Sequence, residues 1–291
     1  MALHPPPASS LLAQLGPVAL LRAFYLAASL LILVIQAVPA LRNRFLAYGS
    51  RATTSRDTDE PAVHRPSPVS NLLDHVATVQ VPHNWFTHFY VISVACSLFW
   101  GCRLRLWDTD VAGTQQSVVW SLMLLQGVRR MLESYTFTSS SKSKMWFAHW
   151  LLGLIFYLTV NVAVWIETPK GRHVRTAGWC LVPGILNAHV LQNTYHRYFY
   201  QLRAQNKGYQ LPEGIFGDTL CPHYFWEIMI YAQLSFLAAP AGNWVNWTLV
   251  CATVFVATNL GVTAIGTKQW YLGKFGAHKV APKKRMIPFL W

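Results

Sequence analysis

The sequence predicts an all-α integral membrane protein of about seven transmembrane helices, and three observations carry that prediction. Hydrophobic residues make up 53% of the 291-residue chain and charged residues only 12%, against roughly 25% charged in soluble domains. From Ile228 to Thr267 there are 40 residues without one Asp, Glu, Lys or Arg. A bilayer core takes roughly 20 apolar residues per helix, so this run, broken by Ala239-Pro240-Ala241-Gly242-Asn243, reads as two spans and a tight turn.

The spans are predicted, in order, at Val18–Val38, Trp85–Cys102, Val111–Val128, Met145–Ile166, Thr176–His196, Cys221–Pro240 and Val245–Gly266. The third has the weakest apolar run. Arg42–His83, rich in Ser, Thr, Pro and Asp, is expected to be the longest loop. Met1–Pro17 lacks a basic stretch and the first apolar run is long enough to span, so no cleavable signal peptide is expected. The five cysteines, Cys96, Cys102, Cys180, Cys221 and Cys251, are scattered and show no disulfide framework. No internal repeat appears, and one domain, residues 1–291, is expected.

The net charge of +13 would suggest nucleic acid in a soluble protein. Here the cations lie in loops and the C-terminal tail, where they orient the chain and meet anionic headgroups. With the C-terminus in the cytosol, 18 basic residues fall in cytosolic segments and 5 on the opposite side, with Arg22 inside the first span. That asymmetry predicts a cytosolic C-terminus and an N-terminus across the membrane. Asn246-Trp247-Thr248 is a glycosylation sequon on that far side, but it abuts the membrane and is expected to be unused.

Polar groups inside the predicted spans mark candidate sites, because ionisable residues in lipid are costly unless they face a cavity or each other. His189, Gln192, His196, Tyr200 and Arg203 follow at steps of three, four, four and three, one face of a helix. The stripe is expected to line a wet cavity open toward the cytosol; interhelical hydrogen bonding is the alternative. His223 and Glu227 share a face one turn into the sixth span. His88 sits inside the second span, beside Trp85 and Tyr90, which suit an interfacial belt. Arg129 and Glu133 fit an ordinary i,i+4 pair; the alternative reading is Arg130 as a phosphate ligand. The histidine spacings fit no metal motif, so no metal is expected. With no GxGxxG and no Walker A loop, any nucleotide must bind without a Rossmann fold.

At these residues the chain resembles a known family. Gln269-Trp270-Tyr271-Leu272, Pro282-Lys283-Lys284-Arg285 and Ile287-Pro288-Phe289-Leu290 are similar to the C-terminal signature of the steroid 5α-reductases, approximately FY…YPxxRxxxIPF. Pro222-His223-Tyr224 with Glu227, and Gln201-Leu202-Arg203, match as well. Val81-Pro82, Trp85-Phe86-Thr87-His88-Phe89-Tyr90 and Arg129-Arg130 with Glu133 resemble the polyprenol (polyprenal) reductase branch. The resemblance runs from Val81 to Trp291; residues 1–80 are a divergent first helix and polar loop.

The resemblance implies a seven-helix fold in the endoplasmic reticulum membrane, NADPH as cofactor, and reduction of the α-isoprene double bond on the path to dolichol, the lipid carrier of N-glycosylation. Carried over by position, Arg203, Tyr209, His223, Glu227, Tyr271 and Arg285 are cofactor candidates. Gln192 and His196 of the stripe, and Lys283 of the tail, join them. Two departures stand out. Steroid-reducing members carry a Gln-Glu pair where this chain has His88 and Phe89, and a catalytic Tyr where it has Gly127. His88 is therefore the first candidate for the proton or hydrogen-bond donor, with Tyr90 second and Glu133 as an orienting group. The expected partners are a polyprenoid lipid and the membrane, with no nucleic acid, and the chain is expected to act as a monomer. Rival readings are a reductase of 3-oxo-Δ4 steroids or enoyl thioesters, an isoprenylcysteine-type methyltransferase, and a transporter or scaffold without chemistry.

Overall fold

The computed structural model describes residues 16–46, 67–137, 143–205, 208–214 and 217–291. Arg51, Arg56, Arg65, Lys142 and Lys207 of the charge asymmetry lie outside the described residues, as does the middle of the Arg42–His83 segment.

The first helix, α1 (Pro17–Ala37), starts with Pro17 in the first turn, where its missing N–H costs nothing. Only Tyr25, Ala28, Ser29 and Ile32 are buried, a single stripe at helical spacing. Leu26, Leu30, Leu31 and Leu33 stay exposed. An apolar helix with one stripe buried and leucines outward suits lipid on its outer side. The stripe packs chiefly against the last long helix, α9 (Trp247–Phe275). Arg22 of α1 donates to Glu167 at 2.7 Å and to Thr248 at 3.1 Å, and Glu167 also accepts from the Thr248 amide at 3.1 Å.

The described part of the expected long loop is largely helical, which corrects that expectation. Here α2 (Pro39–Phe45) and α3 (Pro68–Thr78) are joined by Arg44, which donates to Asp74 at 2.6 and 3.2 Å. The guanidinium holds the Asp74 carboxyl below the usual carboxylate range. Ser67 caps α3 by accepting from the Ser70 amide at 3.1 Å. No residue of α3 is buried, and Val69, Leu72, Val76 and Val79 form an exposed apolar stripe, the spacing of a helix that lies on an interface.

A two-stranded antiparallel ladder, not foreseen from the sequence, follows. β1 (Gln80–Pro82) pairs with β2 (Lys144–Trp146), with Val81 opposite Met145 and both buried. It clips together the starts of α4 (Thr87–Leu104) and α6 (Phe147–Ile166). Inside the bundle Ser97 donates to Asn161 at 2.5 Å, and Asn161 donates to Ser93 at 3.3 Å, satisfying polar groups where water is absent.

The third long helix, α5, runs Gln115–Thr136 rather than over the expected Val111–Val128. Thr114 caps its start, accepting from the Ser117 amide at 3.3 Å. It continues past Val128 because Arg129 and Glu133 pack inward rather than meeting water. The fifth is α7 (Leu181–Gln205), set off from a short turn at Thr176–Trp179. It lies along α8 (Pro222–Leu237). Gln115 donates to the Leu237 and Ala239 carbonyls at 2.5 and 2.9 Å, covering the open end of α8.

Among the described residues, four helices are long and apolar enough to cross a membrane: Pro17–Ala37, His83–Leu104, Phe147–Ile166 and Trp247–Phe275. The other long helices, α5, α7 and α8, carry the internal polar residues described next. The tail folds back from α9. The Leu220 and Cys221 amides donate to the Lys284 and Arg285 carbonyls at 2.9 and 2.8 Å, and the Lys284 amide donates to Asp218 at 2.7 Å. At α9's start Asn246 is fully buried, accepting from the Leu249 amide at 3.0 Å and donating to the Ala163 carbonyl at 3.4 Å.

Candidate active site

A cavity of about 550 Å³ opens among α4, α5, α6, α7, α8 and α9, a size suited to small-molecule binding. Its wall changes character along its length. One part is apolar, with Phe86, Phe89, Leu152, Phe156, Phe255 and Val256. The middle is ionic, with Tyr90, Arg130, Glu133, Gln192, His196 and Glu227. The far part is cationic and aromatic, with Arg203, Tyr209, Trp270 and Tyr271.

The ionic middle arises from residues that helix spacing places on two facing surfaces. On α5, Arg129 and Arg130 both reach Glu133, Arg130 at 2.5 Å. On α7, Asn193 donates to Glu133 at 2.7 Å. The His196 Nδ1 lies 2.7 Å from Glu133 and 2.9 Å from Arg130, so its tautomer decides which of the two it bonds. Arg129 donates to the Gln126 side chain at 2.7 Å and to His189 at 3.2 Å, and it bonds Gln192 as well. Glu227 of α8 accepts from Gln126 at 3.0 Å and from Gln192. Glu133, only 4% exposed, thus has its charge matched on every side, which is the condition for keeping ions inside a bundle.

Tyr90 is the aromatic member of this network. Its hydroxyl accepts from Arg130 at 2.5 Å, and the Arg130 guanidinium lies 4.7 Å from the ring centroid. The hydroxyl proton of Tyr90 is left to point elsewhere, because a guanidinium only donates.

His88 is exposed and lies outside the cavity lining, with its ring 5.2 Å from Trp85 and 6.1 Å from Trp150. Two residues along a helix turn about 200°, so His88 and Tyr90 face opposite ways. His223 does not bond the Glu227 carboxylate one turn on. Its ring sits 5.1 Å from that of His196, and its buried Nδ1, in the cavity wall, has no hydrogen-bond partner among the described residues. Gly127 is also not on the cavity wall; a side chain there would meet Ser93 and Val94 of α4.

At the cationic end Arg203 donates to the Tyr209 hydroxyl at 3.3 Å and lies over its ring at 4.7 Å. Tyr209 meets Trp270 edge-on at 4.9 Å, and Tyr271 donates to the Gln210 carbonyl at 3.4 Å. Lys283 and Arg285 are placed differently from the expectation. The Lys283 ammonium donates to the Pro212 and Gly217 carbonyls at 2.9 and 2.5 Å, and Arg285 lies over Trp291 at 5.2 Å; neither lines the cavity. Gln192, His196, Arg203, Tyr209, His223, Glu227 and Tyr271 are brought together as expected. Asn193, whose bond helps hold Glu133, was not singled out in the sequence; Arg129 was, by its i,i+4 spacing to Glu133. Among the described residues no group of three His, Cys, Asp or Glu side chains is placed to hold a metal.

The orphaned His223 nitrogen and the Arg203–Tyr209 pair are free for a polar, anionic ligand, and the apolar wall suits a hydrocarbon one. A helical, membrane-type bundle with one cavity of this dual character is the class that fold and site define. Residues 181–291 match the family model of 3-oxo-5-alpha-steroid 4-dehydrogenase. The polyprenal reductase of Saccharomyces cerevisiae is 29% identical over 77% of this chain and 80% of its own length. That of Homo sapiens is 26% identical over 93% and 96%. The Solanum lycopersicum protein named steroid 5-alpha-reductase DET2 is 31% identical over 31% of this chain and 33% of its own. The chain is thus similar to the steroid 5α-reductase family model over residues 181–291 and to polyprenal reductases over most of its length.

Proposed function

We propose that this chain is an NADPH-dependent reductase of the α-isoprene double bond of polyprenal, producing dolichal for dolichol synthesis and protein N-glycosylation. It would act as a monomer in the endoplasmic reticulum membrane, with seven spanning helices and a cytosolic C-terminus. The carrying observation is Tyr90, fixed by Arg130 where the apolar wall meets the ionic part of the cavity. The similarity to polyprenal reductases on both sides of that residue supports the substrate class.

An isolated alkene has no place for the electron pair of a hydride. In an α,β-unsaturated aldehyde the pair that enters at the β-carbon displaces the π electrons onto the carbonyl oxygen. Polyprenal is therefore the reactive form, and polyprenol is not. NADPH supplies the hydride when bound. Arg203, Tyr209, Trp270, Tyr271 and His223 would hold it, since the cation suits its phosphates and the rings suit its planar groups. Tyr90 donates a hydrogen bond to the carbonyl oxygen as charge develops there, and Arg130, bonded to the same hydroxyl, strengthens that donor. The reaction closes when the enolate takes a proton from solvent water at the α-carbon, the hydroxide left behind being neutralised by the bulk. Glu133 keeps Arg130 aimed at Tyr90. Phe86, Phe89, Leu152 and Phe156 keep water away and receive the isoprene units. In this arrangement Tyr90, not His88, is the donor.

The test is NADPH oxidation by the purified chain in detergent, with polyprenal and polyprenol offered separately and products weighed by mass spectrometry. Consumption with polyprenal alone, giving a product heavier by two hydrogens, is expected. Consumption with a 3-oxo-Δ4 steroid or an enoyl thioester and not with polyprenal would move the assignment to those substrates. Protection by S-adenosylmethionine and not by NADPH would replace reduction with methyl transfer.

A further inference from the structure

A second cavity, also about 550 Å³, lies at the opposite end of α5, between the end of α4 and the loop after α6. By helix rise it is roughly 22 Å from Arg130. Its wall includes Arg103, Arg105 and Lys170, and the exposed Phe99 and Cys102. Among the described residues none of these three cations meets a carboxylate.

Further features mark the same region. Gln116 lines the cavity, is only 5% exposed, and its amide makes no hydrogen bond among the described residues. A buried amide with room in front of it is an unused donor. The first turn of α5 borders the same space through Thr114 and Gln116, while its Gln115 and Ser117 amides are taken by the Arg172 carbonyl and the Thr114 hydroxyl. Arg105 is held at φ +52°, a left-handed conformation that costs a side-chain-bearing residue energy. Arg172, on the same loop as Lys170 but outside the cavity wall, has a buried guanidinium nitrogen with no hydrogen-bond partner among the described residues. Phe99 is 59% exposed and Trp107 50% exposed, which suits the level where acyl chains meet headgroups.

We propose that this cavity is a binding site for a phosphate monoester, carried on a lipid headgroup or free. It is separate from the reductase cavity and does not depend on the function proposed above. Arg103, Arg105 and Lys170 supply charge, Gln116 donates a hydrogen bond, and Phe99 borders the acyl chain when the phosphate is on a lipid.

The test uses the full chain purified in neutral detergent and titrated by native mass spectrometry with dioctanoyl phosphatidic acid. Dioctanoyl phosphatidylcholine is the zwitterionic control and inorganic phosphate the free-anion arm. Saturable binding of phosphatidic acid is expected, weakened about tenfold or more in the triple variant R103Q/R105G/K170Q. Arg105→Gly alone removes one cation while fitting the left-handed backbone, so it should melt no lower than wild type and still lose affinity. Binding of inorganic phosphate with the same dependence on the three cations, without lipid binding, would assign the site to free phosphate. Equal binding of phosphatidic acid by wild type and triple variant, or no saturable binding of either phosphate form, overturns the proposal.

Discussion

Arg130 donates to Tyr90 at 2.5 Å from one nitrogen and to Glu133 at 2.5 Å from another, so one guanidinium ties an α4 phenol to an α5 carboxylate. If that phenol is the donor to the substrate oxygen, Tyr90→Phe keeps the ring and removes the reaction. Its kcat should fall about a hundredfold or more. NADPH affinity should stay within about threefold by fluorescence titration, because Tyr90 lies apart from the Arg203 end. His88→Ala, on the outer side of the same helix, should keep kcat within about twofold. The opposite pattern would return the role to His88.

Glu133 is the common acceptor for Arg129, Arg130 and Asn193. Glu133→Ala leaves two partly buried cations without their counter-charge and should lower stability by about 3 kcal/mol. Thermal unfolding in detergent measures the loss. Glu133→Gln keeps the shape and should lie between Ala and wild type.

Arg203→Ala removes the cation at the Tyr209 end. The KM for NADPH should rise about tenfold or more with kcat changed far less. Lys283→Ala should behave differently. Its ammonium serves loop carbonyls at Pro212 and Gly217, so protease sensitivity near residues 208–221 should change before KM does.

Gly153 lets α6 approach Phe89 of α4 so closely that a Cβ would stand 2.5 Å from the ring. Both residues line the apolar wall. Gly153→Ala must push the ring into the cavity, at about 1–3 kcal/mol. KM for polyprenal should rise severalfold, with NADPH binding unchanged. Unaltered kinetics would mean that the lipid takes another path.

Much of the site was legible because helix periodicity is a local property. His189, Gln192, His196 and Arg203 had to share a face wherever α7 packed, and Arg129 had to reach Glu133 on any helix. The choice between His88 and Tyr90 was not legible, because it depends on how α4 is rotated, and that is set by packing with α5 and α6. The surroundings of Lys283 were hidden for a related reason. A tail cation reads as a phosphate ligand until the fold shows backbone carbonyls already around it. The β1–β2 ladder gave no periodic signal at three residues per strand, and its partners lie 64 residues apart. Hydropathy located α1, α4, α6 and α9, whereas α5 runs on to Thr136 and α7 to Gln205 through polar residues that composition alone counts against a span.

The burial of Asn246 bears on how the orientation of this chain is to be mapped. Its amide donates to the Ala163 carbonyl, its oxygen caps α9, and Thr248 of the same sequon is fully buried and bonded to Glu167. Oligosaccharyltransferase needs that tripeptide extended and accessible, so the natural acceptor stays bare even if it faces the lumen. The exposed turn at Gly242 and Asn243, a few residues before it, is open. An acceptor tripeptide inserted there on a flexible spacer would gain a glycan only if this end of the bundle is luminal, and the mobility shift would read the orientation directly.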